Sequence, residues 1–564
     1  MSSKKLPKVI PSKQLPSNKK RLTSKQLLGS ALAIIAVLFV GSFFWLGWHS
    51  FATFQALLEP DLSQAQSHAQ KALPIARIFS PELLGNSTGI RPLRLGLETI
   101  TTLSHLGQLG SQLTAEQATM SQTDFSIAKA PLQKLEQNTD ELYIWAVDSR
   151  TLEFFLNDNK TELVSLLQTA NTASTVALRL LEGEQHWLIM FQNSDELRAT
   201  GGFMGSYALV HLEDGKLIET VVEDIYDADG QFEGFIEAPP GVNEYLSSNR
   251  GLRLPDANWD PDFANSAQQI LRFFSLGKRS NIDGVIAVNL SVAESLLALV
   301  GPIKLPDYET EVTNDTIATV LRSERDSFFP GSIRKKHLIQ QLLTQVQLKI
   351  AKLPSSEYPK LLTLLDDSRT TKDIQAFALD EILQNAFSEL ELSGVVDPQT
   401  QTDPIILVES NVGINKANRK VERRTSIQRV NGSLSISIKF TNNNLPPVST
   451  VLTTLVPTTP EKQQQASAAH LGYINYHRLL IDTVWQLDSI LIDNHKVPVE
   501  SERVVKTSTG TELREYGFLV KVPEQTTSAV ELRLTSDSVE PIEFFQQSGI
   551  KEKATLNDVF AQSH

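Results

Sequence analysis

The sequence predicts a multidomain fold: an N-terminal transmembrane helix and helical stalk, an α/β central domain, and a C-terminal β-sandwich. One long apolar run lies near the N-terminus, helical periodicity dominates the residues that follow, and strand-like alternation takes over after Asp397-Pro398. The predicted parts are a cytoplasmic basic tail at 1–26, a transmembrane helix at 27–48, a helical stalk or bundle at 49–180, an α/β domain at 181–395, a β-sandwich at 400–545 and a C-terminal tail at 546–564.

The apolar run from Leu27 to Trp48 is the predicted transmembrane helix, because no Asp, Glu, Lys or Arg occurs between Lys25 and Glu59. At helical rise this run spans about 33 Å, and a hydrocarbon core is about 30 Å thick. Only cations precede it among the charged residues, which predicts a cytoplasmic N-terminus and export of the remaining chain. A cleaved signal peptide is the alternative, but the bulky aromatic end of the run lacks a small-residue cleavage site. The plasma membrane is therefore the first expected partner.

Charge and cysteine content exclude several classes of function. The formal net charge is -13, and without the cationic tail the rest of the chain carries about -21. Such an acidic exported part argues against nucleic-acid binding. The chain has no cysteine, which excludes disulfides, thiolate metal sites and cysteine nucleophiles. An exported protein of this size without disulfides is typical of a bacterial envelope.

Helices and strands alternate in the predicted central domain. The stalk ends in a periodic segment from Thr161 to Gly183, and a strand-like run begins at His186. An Asp-Gly turn divides Ser206 to Ile225 into a hairpin. A buried strand is predicted from Asp283 to Leu290. Helices are predicted at 263–276, 292–301 (closed by a glycine), 314–325, 332–352 and 371–390.

One glycine-rich segment, from Asn193 to Ser206, is the most distinctive motif. Its glycines permit close backbone approach, for example to a phosphate, and its arginine could clamp an anion. Its acids could bind a cation or orient that arginine. A structural turn with a local ion pair is the alternative. The candidate anion-binding residues here are Arg198, Gly201 and Gly202, and the candidate metal ligands are Asp195 and Glu196.

An acidic cluster ends the predicted hairpin: Glu223, Asp224, Asp227 and Asp229. Asp224 is a third candidate metal ligand. The cluster fails the EF-hand pattern, because a glycine at the sixth position would place isoleucines at the first and twelfth. A solvated acidic loop is the alternative to a cation site.

A basic stretch follows in two parts, at 321–326 and 332–341. Lysines and arginines at a helix start run against the helix dipole, which favours acids there. Together with the glycine-rich segment they could cradle an oligophosphate, and a solvated basic face is the alternative. The candidate residues are Arg322, Arg325 and Arg334. The sequence contains none of the common nucleotide-binding or hydrolase motifs, and its ten histidines show no metal-ligand spacing.

The segment NSDELRATGGFMGSYALVHLEDGKL resembles the signature of the bacterial DUF4012 family, with Ala199 in place of the family's usual proline. Residues 281–306 and 411–423 resemble two further blocks of that family, and together these resemblances extend over roughly residues 180–540. The resemblance implies architecture more than activity, because the family carries no assigned function.

A second resemblance is to the LytR-CpsA-Psr phosphotransferases, which move glycopolymers from polyprenyl-pyrophosphate carriers to the cell wall. Residues 283–306 and the basic stretch carry this resemblance. It implies that Arg325, Arg334 and Arg322 grip pyrophosphate, with Mg²⁺ as cofactor. The chain departs from that family at Gly301-Pro302, where Gly-Gly is usual, and lacks its Pro-Arg-Asp motif.

The sequence thus predicts a single-pass, extracytoplasmic protein of the bacterial cell envelope, with a role in surface assembly or binding. The alternative is transfer of glycopolymers from polyprenyl-pyrophosphate carriers to the cell wall. A cell-wall glycopolymer or a lipid-linked glycan is the expected partner under either function. Whether the protein is an enzyme stays open at this point, and so does any cofactor other than Mg²⁺ for the transferase.

Overall fold

The computed structural model describes residues 124–150, 159–279, 281–305, 311–326, 333–354, 357–430, 432–446 and 472–558, with single positions between 95 and 153. The predicted transmembrane helix at 27–48 and most of the predicted stalk lie outside these residues. Among the residues described, no helix combines the length and apolarity that a membrane span needs. The described chain has a mixed α/β central region followed by two strand-rich sheets.

The helices belong to the first two-thirds of the described chain. Their bounds are Lys129–Asp148 (α1), Asn159–Leu180 (α2), Ile225–Asp229 (α3), Phe263–Leu276 (α4), Leu290–Val300 (α5), Ile317–Asp326 (α6), Ile333–Ala351 (α7), Tyr358–Thr370 (α8) and Glu381–Glu389 (α9).

A five-stranded mixed sheet organises the central region, in the order β3-β2-β1-β4-β7. Strands β1 and β4 are parallel, and the other neighbours are antiparallel. The strands of this region, including a separate two-stranded β5-β6 pair, are Glu184–Asn193 (β1), Phe203–Glu213 (β2), Lys216–Asp224 (β3), Gly284–Asn289 (β4), Ile303–Lys304 (β5), Glu311–Val312 (β6) and Ile374–Ala378 (β7).

Both faces of the central sheet are covered, because its strands alternate apolar side chains between them. In β1, Leu188 and Met190 join a large cluster with helix α4 on one face. Trp187 points to the other face and packs with Phe387 of α9. Helix α7 covers the β2-β3 side of that second face through Ile339. The sheet is therefore a buried middle layer.

Two further sheets form the C-terminal region. Their orders are β13-β12-β16-β10-β9-β18 and β14-β15-β11-β8-β17. The strands are Asp403–Asn411 (β8), Val421–Val430 (β9), Ser433–Asn442 (β10), Tyr473–Asp482 (β11), Gln486–Ile492 (β12), His495–Val497 (β13), Ser501–Lys506 (β14), Glu512–Val522 (β15), Thr526–Thr535 (β16), Ile542–Phe545 (β17) and Thr555–Asp558 (β18).

These two sheets share one hydrophobic core, as the layers of a β-sandwich do. Ile436 and Leu532 of one sheet and Leu479 and Phe518 of the other belong to the same buried cluster. Every residue of β8 is buried. The second sheet is covered on both faces, because its outer side packs against the central region.

Several local predictions are confirmed. The predicted hairpin is β2-β3, and its turn residues Asp214 and Gly215 have φ of 47° and 79°, as a two-residue type I′ turn requires. The predicted helix at 263–276 has those bounds. Gly301 ends α5 with a φ of 77°, which a glycine adopts without steric cost.

The predicted helix at 371–390 is wrong. Strand β7 occupies Ile374–Ala378 and pairs with β4, and only Glu381–Glu389 is helical in this span. The helix starts anew at Asp380, whose carboxylate accepts a hydrogen bond from the Leu383 backbone N–H at 2.9 Å. The run IQAFA is too short for its period to separate a buried strand from a helix.

The predicted tail at 546–564 also differs from the structure. Gln547 and Ser548 are buried, and β18 pairs in parallel with β9. The C-terminal sheets therefore continue past the predicted boundary to at least Asp558.

The last helix of the predicted stalk packs on the central region. Arg179 of α2 forms a 2.9 Å ion pair with Asp380, and Thr172 donates a hydrogen bond to Glu389 at 2.7 Å. Val176 and Leu180 pack against the cluster around Trp187. Helix α2 is thus an integral layer of the α/β region, and the stalk at 49–180 stays a prediction for the residues before it.

Candidate functional site

The glycine-rich segment connects β1 to β2 at the carboxyl end of β1. The Asn193 side chain accepts a hydrogen bond from the Asp195 N–H at 3.1 Å, which starts a tight turn. Backbone bonds from Gly201 to the Arg198 carbonyl (3.0 Å) and from Phe203 to the Glu196 carbonyl (2.8 Å) close it. The segment is folded onto itself and buried.

Both candidate glycines are required by close packing. A Cβ atom on Gly201 would lie 2.4 Å from Asn289 Oδ1 and 2.7 Å from Ser548 Oγ, and the residue has a φ of +130°. A Cβ on Gly202 would lie 2.3 Å from the Asn193 carbonyl carbon. The groups that approach these glycines are therefore protein atoms in this structure, where the sequence suggested a phosphate.

Arg198 is buried, with 2% of its side chain exposed. Its Nε donates to Asp256 at 3.0 Å. Its Nη1 donates to the carbonyls of Leu197 (3.1 Å) and Asn411 (2.7 Å), and its Nη2 reaches Glu196 at 3.5 Å. The guanidinium also lies 5.6 Å from the centroid of the Phe203 ring. Protein acceptors thus occupy four of its five N–H donors.

The three candidate metal ligands do not come together. Glu196 faces Arg198, and Asp195 lies 3.5 Å from Arg419 Nη1. Asp224 accepts the Tyr226 N–H at 3.1 Å and thereby caps α3. These acids are not among the groups of three or more His, Asp or Glu side chains that converge within the described residues.

Neutral polar side chains hold the glycine-rich segment in place through hydrogen bonds. Gln192 at the end of β1 accepts the Gly202 N–H at 3.1 Å and donates to Thr200 Oγ1 at 3.1 Å. Asn258 donates to Thr200 Oγ1 and to the Gly202 carbonyl, both at 2.9 Å. Gln375 of β7 donates to the Thr200 carbonyl at 2.8 Å. Buried amides paired in this way hold a backbone in one conformation.

The C-terminal region closes over the same segment. Gln547 donates to the carbonyls of Arg198 (3.0 Å) and Glu409 (2.9 Å), and its own Oε1 accepts the Glu409 N–H at 2.7 Å. Ser548 accepts a hydrogen bond from Asn289 at 2.9 Å. We refer to the contacts of Arg198, Asn289, Asn411, Gln547 and Ser548 as the joint. It connects the central sheet, β8 and the residues after β17.

Residues 182–325 match a family model described as "Protein of unknown function (DUF4012)". We call residues 182–325, which this family model matches, the DUF4012 region. The match extends from just before β1 to the end of α6 and includes the whole glycine-rich segment. No curated protein matches the chain. The joint therefore lies where the DUF4012 region meets the C-terminal sheets.

A second buried ion pair supports the sheet that meets the DUF4012 region. Arg423 Nε donates to both oxygens of Glu409, at 2.8 and 2.9 Å, and Tyr473 donates to the same carboxylate at 2.6 Å. Burial alone would raise the pKa of Glu409, but the adjacent Arg423 holds that pKa below its usual range. His477 lies in the same layer, and burial lowers its pKa to about 4.

A further polar contact ties the DUF4012 region to strand β11. The Arg478 guanidinium lies 4.6 Å from the centroid of the Trp259 ring and donates to the Trp259 carbonyl at 2.6 Å. It also forms a 3.1 Å ion pair with Glu515, and both side chains are 1% exposed. The interface between the two regions therefore contains several buried, paired charges.

The basic stretch lies on α6 and α7. Arg322, Arg325 and Arg334 belong to these helices, but their side chains lie outside the described residues. Lys336 of α7 forms an ion pair with Asp227. Lys336, at this basic helix start, thus faces the acidic cluster at the end of β3.

The acidic cluster is distributed among separate partners. Glu223 pairs with Arg279 and Tyr207, and Asp229 pairs with Arg253 at 3.0 Å. These contacts, with the capping role of Asp224, explain the acids structurally. They give no support to a cation site in this cluster.

The structure brings together one set of residues that the sequence interpretation dismissed. Glu184, His186 and His211 place their ligand atoms within 4.8 Å of one another. His186 and His211 face each other directly across β1 and β2. Residue spacing could not reveal this, because the pairing register is set across the glycine-rich connection rather than by a short hairpin turn.

Proposed function

We propose that this protein is a single-pass, membrane-anchored, extracytoplasmic component of the bacterial cell envelope that acts in surface assembly or binding. The apolar run at 27–48, its cationic flank and the absence of cysteine support the location. The proposed partner is a cell-wall glycopolymer.

The burial of Arg198 is the observation that favours a binding or structural role over glycopolymer transfer. An arginine that grips a pyrophosphate must present free N–H donors to the ligand. Arg198 instead gives its donors to Asp256, Glu196 and two backbone carbonyls, and it is 2% exposed. Withdrawing it would leave the buried Glu196 and the partly buried Asp256 without their cation, and loss of one partner of a buried ion pair typically costs about 3–5 kcal/mol.

The joint gives the DUF4012 region and the C-terminal sheets the properties of one unit. Buried polar contacts that are paired in this way specify a single arrangement of the parts they connect. A rigid exported unit suits a protein that holds a polymer or a neighbouring component at a fixed distance from its anchor. The glycine-rich segment then has a structural role, and the binding surface lies elsewhere on the unit.

The transferase alternative is tested with the full chain in detergent, polyprenyl-pyrophosphate and Mg²⁺. We expect no release of phosphate and no binding that depends on Arg198. The matched variants are Arg198→Met and Arg424→Met, since Arg424 is an exposed arginine on β9. Arg198→Met is expected to lower the unfolding midpoint, and Arg424→Met to leave it unchanged.

Mg²⁺-dependent release of phosphate by the wild-type chain would refute this proposal, and its loss in a folded Arg198→Met variant would assign that activity to Arg198. Location is tested separately, by fractionation of cells and protease treatment of intact spheroplasts. We expect the chain in the membrane fraction and its bulk cleaved from outside. Binding is tested by sedimentation of the chain with purified cell walls, with walls stripped of their glycopolymer as the control.

A further inference from the structure

The strands β1 and β2 carry a cluster of two imidazoles and one carboxylate far along the sheet from the glycine-rich segment. His186 and His211 are directly paired residues of the antiparallel ladder, and Glu184 precedes His186 by two positions on the same face. The two rings stack with centroids 4.4 Å apart and planes inclined by 16°. This cluster belongs neither to the joint nor to the basic stretch.

The distances within the cluster match those between ligands of one metal ion. Glu184 Oε1 lies 3.3 Å from His211 Nε2 and 3.8 Å from His186 Nε2. With metal–nitrogen and metal–oxygen bonds of about 2.0–2.2 Å, neighbouring ligand atoms lie roughly 3–4 Å apart. The three ligand atoms therefore need only small side-chain rotations to share a cation.

The backbone holds both histidines firmly. The Asp283 side chain accepts the His186 N–H at 2.7 Å, and the Asp283 N–H donates to the His186 carbonyl at 2.8 Å. His211 is paired on both sides, with His186 on β1 and with Glu219 on β3. Ligands on rigid strands lose little conformational freedom when a metal binds.

One nitrogen of the cluster, His211 Nε2, has no hydrogen-bond partner among the described residues. His211 Nε2 is shielded from solvent and makes no hydrogen bond in that part of the chain, although Glu184 Oε1 lies 3.3 Å away. A buried nitrogen without a hydrogen bond is costly unless another partner takes its place. A metal ion is a partner that both imidazoles and the carboxylate could share.

The surroundings favour a cation and leave it reachable. Glu213 stands opposite Glu184, and Glu219 stands opposite His211, so carboxylates flank the imidazoles along two strands. The side chains of His186 and His211 are about one-third exposed, at 30% and 27%. Three protein ligands at this partly exposed position, where the Glu184 side chain is 64% exposed, leave at least one coordination position open for water or a further ligand.

We propose that Glu184, His186 and His211 form a binding site for a divalent transition-metal ion of the Zn²⁺ class. Imidazole ligands favour Zn²⁺, Ni²⁺ and Cu²⁺, whereas Mg²⁺ and Ca²⁺ favour sites made of oxygen ligands alone. The bound ion would join the first strand of the DUF4012 region to its neighbour, just after the end of α2. This inference is independent of the proposed envelope function.

Titration of the full chain in detergent with Co²⁺, followed by visible absorption, tests the site, and competition with Zn²⁺ ranks the two ions. The protein is purified through a tag without histidine, in buffer with excess Mg²⁺. The variants are His186→Gln, His211→Gln and Glu184→Gln. His495→Gln is the matched control, because His495 is an exposed strand histidine in the C-terminal region.

We expect one Co²⁺ per chain, displaced by Zn²⁺ and unaffected by Mg²⁺. Each histidine variant should weaken binding by at least about tenfold, a loss already typical when groups beyond the ligands themselves are removed. His495→Gln should bind as the wild type does. Unfolding midpoints measured with a chelator present show that the variants are folded. Lack of stoichiometric binding by the wild type, or equal binding by the histidine variants and the wild type, would overturn the proposal.

Discussion

Replacing Gly201 by alanine should weaken the joint more than the same substitution at a glycine with open surroundings. The new Cβ would lie 2.4 Å from Asn289 Oδ1, where ordinary contacts begin at about 3.4 Å, so the Asn289 side chain must move by about 1 Å. Overpacking of this kind costs about 1–3 kcal/mol. The φ of +130° adds about 1–3 kcal/mol of backbone strain.

Displacement of Asn289 also endangers its 2.9 Å hydrogen bond to Ser548, which is worth about 1 kcal/mol. We therefore expect Gly201→Ala to lower the free energy of unfolding by about 5 kcal/mol. Gly183→Ala is the matched control, because Gly183 has a φ of +66° but no atom within 4 Å of its added Cβ. That substitution retains only the backbone strain, about 1 kcal/mol.

The assay is urea unfolding of both variants, combined with backbone amide exchange read by mass spectrometry. Exchange is needed because a chain with several packed regions can unfold in more than one step. Peptides from the joint should lose protection in Gly201→Ala and keep it in Gly183→Ala. Equal losses of stability in the two variants would show that the close approach at Gly201 does not hold the joint, and the reasoning would fail.

Three other expectations follow from buried groups of the C-terminal region. Arg423→Met should lower the free energy of unfolding by about 3–5 kcal/mol, because the buried Glu409 carboxylate loses its cation. The exposed control Arg424→Met should change that free energy by less than about 0.5 kcal/mol. Equal urea midpoints for the two variants would contradict this. His477 has a pKa of about 4 in the folded chain and about 6.5 in the unfolded chain. The free energy of unfolding therefore falls by about 3 kcal/mol as the pH drops from above 6.5 toward 4, because the unfolded chain binds the proton first. His477→Phe should remove that fall, and a free energy of unfolding that still drops equally between pH 6.5 and pH 4 would contradict this. Ending the chain at Phe545 should destabilise it by at least about 3 kcal/mol, because fully buried Arg429 loses a carboxylate partner; deletion of residues 559–564 removes none of these contacts and is the control in thermal unfolding.

Local signals in the sequence were sufficient for much of the fold. The Asp214-Gly215 turn fixed the β2-β3 hairpin because both positions need positive φ. The periodic apolar pattern of α4 gave its bounds, since an amphipathic helix of that length has a clear period. The alternation in β10 and β16 predicted strands with one buried face.

The environment of the candidate site was beyond local signals. Arg198 looked available because its acidic partner Asp256 is 58 residues away and its carbonyl partner Asn411 is 213 residues away. The arginine and glycines were correctly singled out as unusual, but spacing could not tell a phosphate from the protein's own carbonyls. His186 and His211 were passed over for the same reason, because only the strand register places them opposite each other.

The C-terminal end of the described chain has a consequence for the order of assembly. Gln547 reaches the Arg198 carbonyl across 349 residues of sequence. A chain that is synthesised or exported from its N-terminus therefore has its glycine-rich segment long before Gln547, which packs over that segment, is available. Until the residues after β17 are made, the charges and amides of that segment face water or chaperones. Closure over this segment thus waits for the residues around Gln547, and copies that stop before them leave its polar groups exposed.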